Sequence, residues 1–274
     1  MTSTELVFKR VDANRPDCVA VLSIARPEVA NAFSAEVMQE LTDHLAALKT
    51  TPHLRAVILR GKGKHFSAGA DLNWMKASAA LSKSENEIDA RKLTLLFESL
   101  YNLPVPTIAA VTGAAYGGAV GLTAACDYAV ATTGAKFCLS EVKLGLLPAV
   151  ILPYLARKIS CGHLRRLSLS AKVFNAQDAQ AVGLVQRVCE ETELEKVLKE
   201  EISQILTCSP EAQKELKILH HKLMLKSFEQ NEDTVQAIAK IRTSSSAQTG
   251  LKAFFEKSES PWNIQLPTEW NLDD

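Results

Sequence analysis

The stretch from Thr107 to Cys126 runs for twenty residues without a charged side chain. A run of that length is long enough to cross a bilayer. Gly113, Gly117 and Gly121 even repeat at the four-residue spacing of packed membrane helices. The residue types argue otherwise, because the run is rich in Ala, Thr and Gly and holds a single leucine, Leu122. It reads instead as a buried strand over Thr107 to Thr112, a glycine-rich break, and a short helix from about Gly118 to Cys126. Such a segment must be enclosed by other elements, and 274 residues suffice to enclose it.

Those other elements are legible as alternation. Leu6 to Asp12 and Cys18 to Ala25, separated by Asn14 and Pro16, read as a hairpin. Ser34 caps a helix whose Val37, Leu41, Leu45 and Leu48 share one face. Ala56 to Leu59 is a short buried strand, followed by a loop, Gly61 to Gly69, with three glycines. Asn73 to Asn102 reads as mostly helical, and its polar first half, Lys76 to Asn86, is expected to be mobile. Tyr128 to Thr132 and Phe137 to Ser140 read as strands. Pro148 or Pro153 opens or kinks a helix running to about Ile159, and Cys161 to Ser170 forms another. Strand and helix in alternation predict an α/β core with parallel pairing over residues 1–190. From 191 to 274 the character changes to charged amphipathic helices: Glu193 to Leu206, Pro210 to Leu225 and Thr234 to Ser244. The tail carries Trp262 and Trp270, which are expected to dock on a surface.

Charge excludes some partners. Lys plus Arg and Asp plus Glu are 31 each, so the chain lacks the positive surplus that nucleic acid or an anionic membrane would attract. None of the six cysteines stands in a metal-finger or CxxC spacing, so neither a metal nor a disulfide framework is expected. Adjacent His220 and His221 face different sides of a helix and would not share a metal. The thiols, and an N-terminus without a signal-like apolar region, are those expected of a cytoplasmic protein.

Chemistry concentrates where charge is scarce. Between Pro104 and Leu155 only Asp127, Lys136, Glu141 and Lys143 are charged. A carboxylate in such surroundings is desolvated, which raises its pKa and suits it to proton exchange. Asp127 also reads as a turn or cap residue, and Glu141 as a surface residue at a strand end. Two glycine loops, His65 to Asp71 and Gly113 to Ala119, each follow a buried strand. Their backbone N–H groups, if convergent, would form an oxyanion hole. Glycine serves tight turns equally well, and both readings stand on these residues alone. Neither loop has a nucleotide-binding pattern, and His65 reads as an ordinary loop histidine.

Taken together and in order, these segments resemble the enoyl-CoA hydratase/isomerase (crotonase) superfamily. The resemblance rests on Arg26-Pro27 with Asn31-Ala32, on His65 through Leu72, and on Pro106 through Val111 with the Gly113 to Gly121 loop. It continues through Cys126-Asp127, Ser140 through Pro148, Ala176 through Ala179, Gly183-Leu184-Val185, and Ala253 through Lys257. The stretches Gly118 to Leu122, Leu139 to Val142 and Leu147 to Ile151 most resemble the bacterial methylglutaconyl-CoA hydratase branch. The resemblance implies a spiral of ββα turns with a C-terminal helical region that makes trimers or hexamers. It implies an acyl-CoA thioester as substrate and no further cofactor. The oxyanion-hole N–H groups fall on Ala70 and Gly118, and the acid/base on Glu141. Substrate contacts fall on Ala68, Asp71, Leu72, Trp74 and Met75, on the segment at Glu28 and Val29, and on Phe254 and Lys257.

One position departs from the pattern. A family hydratase's first glutamate falls on Gly121, which has no side chain. The space so vacated is expected to admit a substrate carboxylate or a water. One glutamate also suits a Δ3,Δ2-enoyl-CoA isomerase, and a catalytically inactive CoA-binding subunit is the remaining reading.

Overall fold

The computed structural model describes residues 2–12, 15–225, 244–267 and 270–272. β1 (Thr4–Arg10) and β2 (Cys18–Ile24) form the antiparallel hairpin, with Leu6 opposite Leu22. β2 then pairs in parallel with β3 (Leu54–Gly61), β3 with β4 (Thr107–Val111), and β4 with β6 (Tyr128–Thr132). The final partner of this six-stranded sheet is β9 (Arg187–Cys189). Every residue of β2 and β4 is buried, as befits parallel strands covered on both faces.

A second layer repeats the same order. β5 (Ala114–Tyr116) pairs in parallel with β7 (Lys136–Cys138), and β7 pairs antiparallel with β8 (Phe174–Asn175). Single bridges extend this layer through Ser67 beside Ala115 and Ala70 beside Phe33. Each turn of chain therefore places a strand in the large sheet, a short strand or bridge in the small one, and then a helix. This is the expected ββα spiral. The uncharged Thr107–Cys126 run is one such turn: β4, β5 and α4 (Gly118–Ala125). Among the described residues no helix is long and apolar enough to cross a membrane.

α1 (Ala35–Thr50) is capped at Ser34, whose Oγ accepts from the Val37 N–H at 3.3 Å, and buries the expected face. α2 (Leu72–Ala79) and α3 (Lys83–Tyr101) divide the predicted helical stretch. The break falls at Ser82, which forms a reciprocal capping box with Glu85. The helix expected up to Ile159 is only α5 (Leu152–Leu155), with Pro153 in its first turn and tight turns from Ala156 to Ile159. α6 (Cys161–Ser170) and α7 (Ala176–Ala181) complete this part. The two- and three-residue strands β5, β8 and β9 are too short to announce themselves by alternation.

After β9 the described elements are all helical. α8 (Leu194–Leu206), α9 (Pro210–Leu225) and α10 (Ser245–Glu256) follow one another, and the predicted Thr234 to Ser244 helix lies, but for Ser244, outside the described residues. The cores do not separate there. Val197, Leu198, Ile202 and Leu206 of α8 pack on one face of the large sheet together with Ile264, Trp270 and Leu272 of the tail. Trp270 is thus buried within its own chain, and Trp262 packs against Gly250 of α10.

Candidate active site

Three parallel segments run side by side and end at one place. Ser67 lies beside Ala115, with the Ser67 N–H donating to Ala114 O (2.9 Å) and the Tyr116 N–H to Ser67 O (3.0 Å). Three residues beyond this bridge on each segment come Ala70 and Gly118. On the other side of β5, Tyr116 is in register with Cys138, and Glu141 follows three residues later. Parallel pairing therefore brings Ala70, Gly118 and Glu141 to the carboxyl ends of adjacent strands, where ligands of open α/β sheets bind.

Each N–H is turned outward by local geometry. Phe33 brackets Ala70: the Phe33 N–H donates to Gly69 O and the Asp71 N–H to Phe33 O, both at 2.8 Å. A bridge of that form uses the neighbours of Ala70 and leaves its own N–H facing away from Phe33. Gly118 is the first residue of α4, where an N–H has no partner within the helix. Among the described residues neither N–H has an acceptor. The Gly118 Cα also faces the Phe33 ring, since a Cβ there would lie 2.9 Å from Phe33 Cε2.

Glu141 opens a single 3-10 turn, Glu141–Leu144, after β7. Its Oε1 would be 3.2 Å from a Cβ on Gly117, which also has φ +53°, so the helix start and the carboxylate are in contact only because residue 117 is glycine. The Oε2 atom is buried without a hydrogen-bond partner among the described residues. Burial pushes the carboxyl pKa up, against a smaller opposing pull from its own backbone N–H. A buried carboxylate with a free oxygen, beside two free N–H donors, is equipped to exchange a proton with an anion-forming substrate.

The supporting loops are tied together by residues whose part the sequence reading had not recognised. Asn31 is fully buried with φ +56°; its Oδ1 accepts from the Arg26 N–H (2.9 Å), and its Nδ2 donates to Lys62 O (2.8 Å) and His65 O (2.6 Å). The tolerance of asparagine for left-handed backbone was the available signal. His65 Nδ1 accepts from the Ala114 N–H at 3.0 Å, joining the two glycine loops.

The expected substrate contacts divide. Ala68 and Ala70 are exposed beside the site, Leu72 is exposed at the start of α2, and Trp74 and Met75 are half-buried on the same helix. Glu28 and Val29 lie exposed on the short turn before Ala30. Asp71 faces inward instead. It caps α2 through Asn73 and Trp74 and pairs with Arg26 at 3.2 Å. Burial raises the Asp71 pKa, and the two N–H bonds and Arg26 outweigh it, so the net shift is downward. Asp71 thus holds the Ala70 peptide in place. Lys257 is exposed just past α10, with φ +53°, and the Phe254 side chain lies outside the described residues; α10 packs on α9.

Gly121 requires a correction. The space expected there is filled: a Cβ would overlap Ile151 Cγ2 and lie 2.8 Å from Ile151 Cβ and 2.9 Å from Phe97 Cε1. Neither a water nor a substrate carboxylate has room at this position. Asp127 is also more than a cap. Its Oδ2 accepts from the Thr107 N–H (2.7 Å), Thr107 Oγ1 (2.9 Å) and Lys217 Nζ (2.7 Å), tying β4 and β6 to α9. His221 stacks on Tyr101, with ring centroids 4.1 Å apart.

Comparison with known proteins points the same way. A family model described as enoyl-CoA hydratase/isomerase matches residues 14–265. A Thermus thermophilus relative provisionally named enoyl-CoA hydratase is 35% identical over 246 residues, covering 87% of this chain and 95% of that protein. The mitochondrial methylglutaconyl-CoA hydratase of Mus musculus is 37% identical over 177 residues, covering 64% of this chain and 55% of its own length. A crystal structure titled as an enoyl-CoA hydratase from Shewanella pealeana superposes with TM-score 0.89 at 37% identity, covering 95% of this chain and 96% of that one.

Proposed function

Since the chain belongs to the enoyl-CoA hydratase/isomerase family, we propose that it adds water across the double bond of an α,β-unsaturated acyl-CoA thioester of the methylglutaconyl type. The observation that carries this reading is the buried Glu141 Oε2, without a hydrogen-bond partner among the described residues, on the strand end beside those that carry the Ala70 and Gly118 N–H groups. The thioester carbonyl accepts from both N–H groups. Glu141 takes one proton from a water, whose hydroxyl adds to the β-carbon, and the electrons of the double bond move onto the carbonyl oxygen as an enolate. Glu141 then returns that proton to the α-carbon, so one water is consumed and the carboxylate is regenerated. One oxyanion donor of this kind is worth about 2.7–4 kcal/mol in mutational precedent.

The methylglutaconyl type is supported by the Gly118–Leu122 and Leu147–Ile151 stretches and by the mouse relative. With Gly121 closed, the second carboxylate of such a substrate must be met elsewhere. A second reading is favoured by the same closure: a single carboxylate suffices to carry a proton between two carbons, as a Δ3,Δ2-enoyl-CoA isomerase does. Incubation of 3-methylglutaconyl-CoA in water enriched in heavy oxygen separates the two by mass spectrometry. A product heavier by one labelled water is expected. A shifted double bond in a matched 3-enoyl-CoA without any mass gain would establish the isomerase reading instead.

A further inference from the structure

Gly121 follows Gly117 and Gly118 by one turn along the same side of α4. Its neighbours on that side are Glu141 at Gly117 and Phe33 at Gly118, and beyond them Ile151 and Phe97 at Gly121 itself. Ile151 is held there by the turn after Pro148, where the Ile151 N–H donates to Pro148 O at 3.2 Å, and it is buried with Phe97 in the main core. The wall one turn past the catalytic carboxylate is therefore hydrocarbon, and it belongs to a different segment from the glycine it covers.

We propose that Ile151 determines how many carboxylates this site can hold, and with it which unsaturated thioesters the enzyme serves. The proposal rests on the hydratase reading above. Ile151 makes the two tightest contacts in the volume that any side chain at residue 121 would need, with the Phe97 ring at its edge, so positions 121 and 151 form a coupled pair. A side chain at 121 requires loss of the one at 151. Ile151→Ala would leave the Cβ that approaches position 121 to 2.8 Å, so glycine is the replacement that removes both Ile151 contacts, and the Phe97 ring, 2.9 Å from such a Cβ, must then turn aside.

The test uses wild type, Gly121→Glu, Ile151→Gly and the double variant, each measured for thermal midpoint and for crotonyl-CoA hydration. Overpacking places Gly121→Glu at least about 4 °C below wild type. The double variant is expected to melt well above the sum of the two single losses. It is also expected to hydrate crotonyl-CoA at least about tenfold faster than Ile151→Gly, since a second acid then faces the substrate. Gly121→Glu melting with wild type, or a double variant no faster than Ile151→Gly, would overturn the proposal. Wild type failing to hydrate any enoyl-CoA would count against the hydratase reading alone, because the melting cycle reports the packing without it.

Discussion

Glu141 makes a sharp prediction at the scale of one residue. Glu141→Gln keeps the shape of the side chain and removes its basicity, so turnover is expected to fall by about 10²–10⁴-fold. Acyl-CoA affinity, measured by calorimetry, should hold within a few-fold. Weakened binding with normal turnover would remove Glu141 from the chemistry. Because burial raises its pKa, the carboxyl stays protonated to higher pH than an ordinary glutamate. As a base it is active when ionised, so kcat/KM should rise with pH, with an acidic limb above the usual glutamate value. The same limb should vanish in the glutamine variant. Asp71 belongs to this scale too. Asp71→Ala removes the cap of α2 and the partner of Arg26, and a loss of about 0.5–2 kcal/mol is expected in denaturant titration.

At the scale of elements, the spiral depends on few cross-ties. Asp127 meets three donors from β4 and α9, and its partner Lys217 is 11% exposed. Asp127→Ala leaves the Thr107 N–H and a largely buried ammonium without that acceptor. A destabilisation of about 1–3 kcal/mol is expected from chemical unfolding, and an unchanged midpoint would show that water replaces the carboxylate. α1 behaves differently, since its contribution is packing. Leu41 is buried in the main core, and Leu41→Ala should lower stability by about 2–5 kcal/mol. The capping serine and the periodic apolar face made α1 readable from its residues. α5 is shorter than its apolar sequence suggests, because composition says nothing about how many turns a helix keeps.

For the molecule as a whole, the exposed Leu144, Leu146 and Leu147 follow directly on Glu141, with Leu147 75% exposed. Three exposed leucines within four residues are costly to leave in water and suit an interaction site. Together with the family resemblance it predicts an assembly of this chain. Light scattering should return three or six times the 29.8 kDa chain mass, and a single-chain mass at micromolar concentration would contradict it. Trp270 does not wait for a neighbour: it lies in the core that α8 and the large sheet build within one chain.

What the residues determined by themselves was local or ordered along the chain. Alternation placed most strands and helices, scarcity of charge narrowed the candidate acids to Asp127 and Glu141, and the family resemblance assigned Ala70, Gly118 and Glu141. Tertiary structure decided what depends on distant segments meeting. The register of Ser67 on β5 and of β5 on β7 brings residues 70, 118 and 141 to one edge. Asp71, a substrate contact by resemblance, is also a brace because Arg26 reaches it from another loop. Gly121 shows the limit most plainly. A missing side chain looks like empty space in a sequence, yet close packing lets no such space stand, and only the fold shows that Ile151, thirty residues further along, fills it.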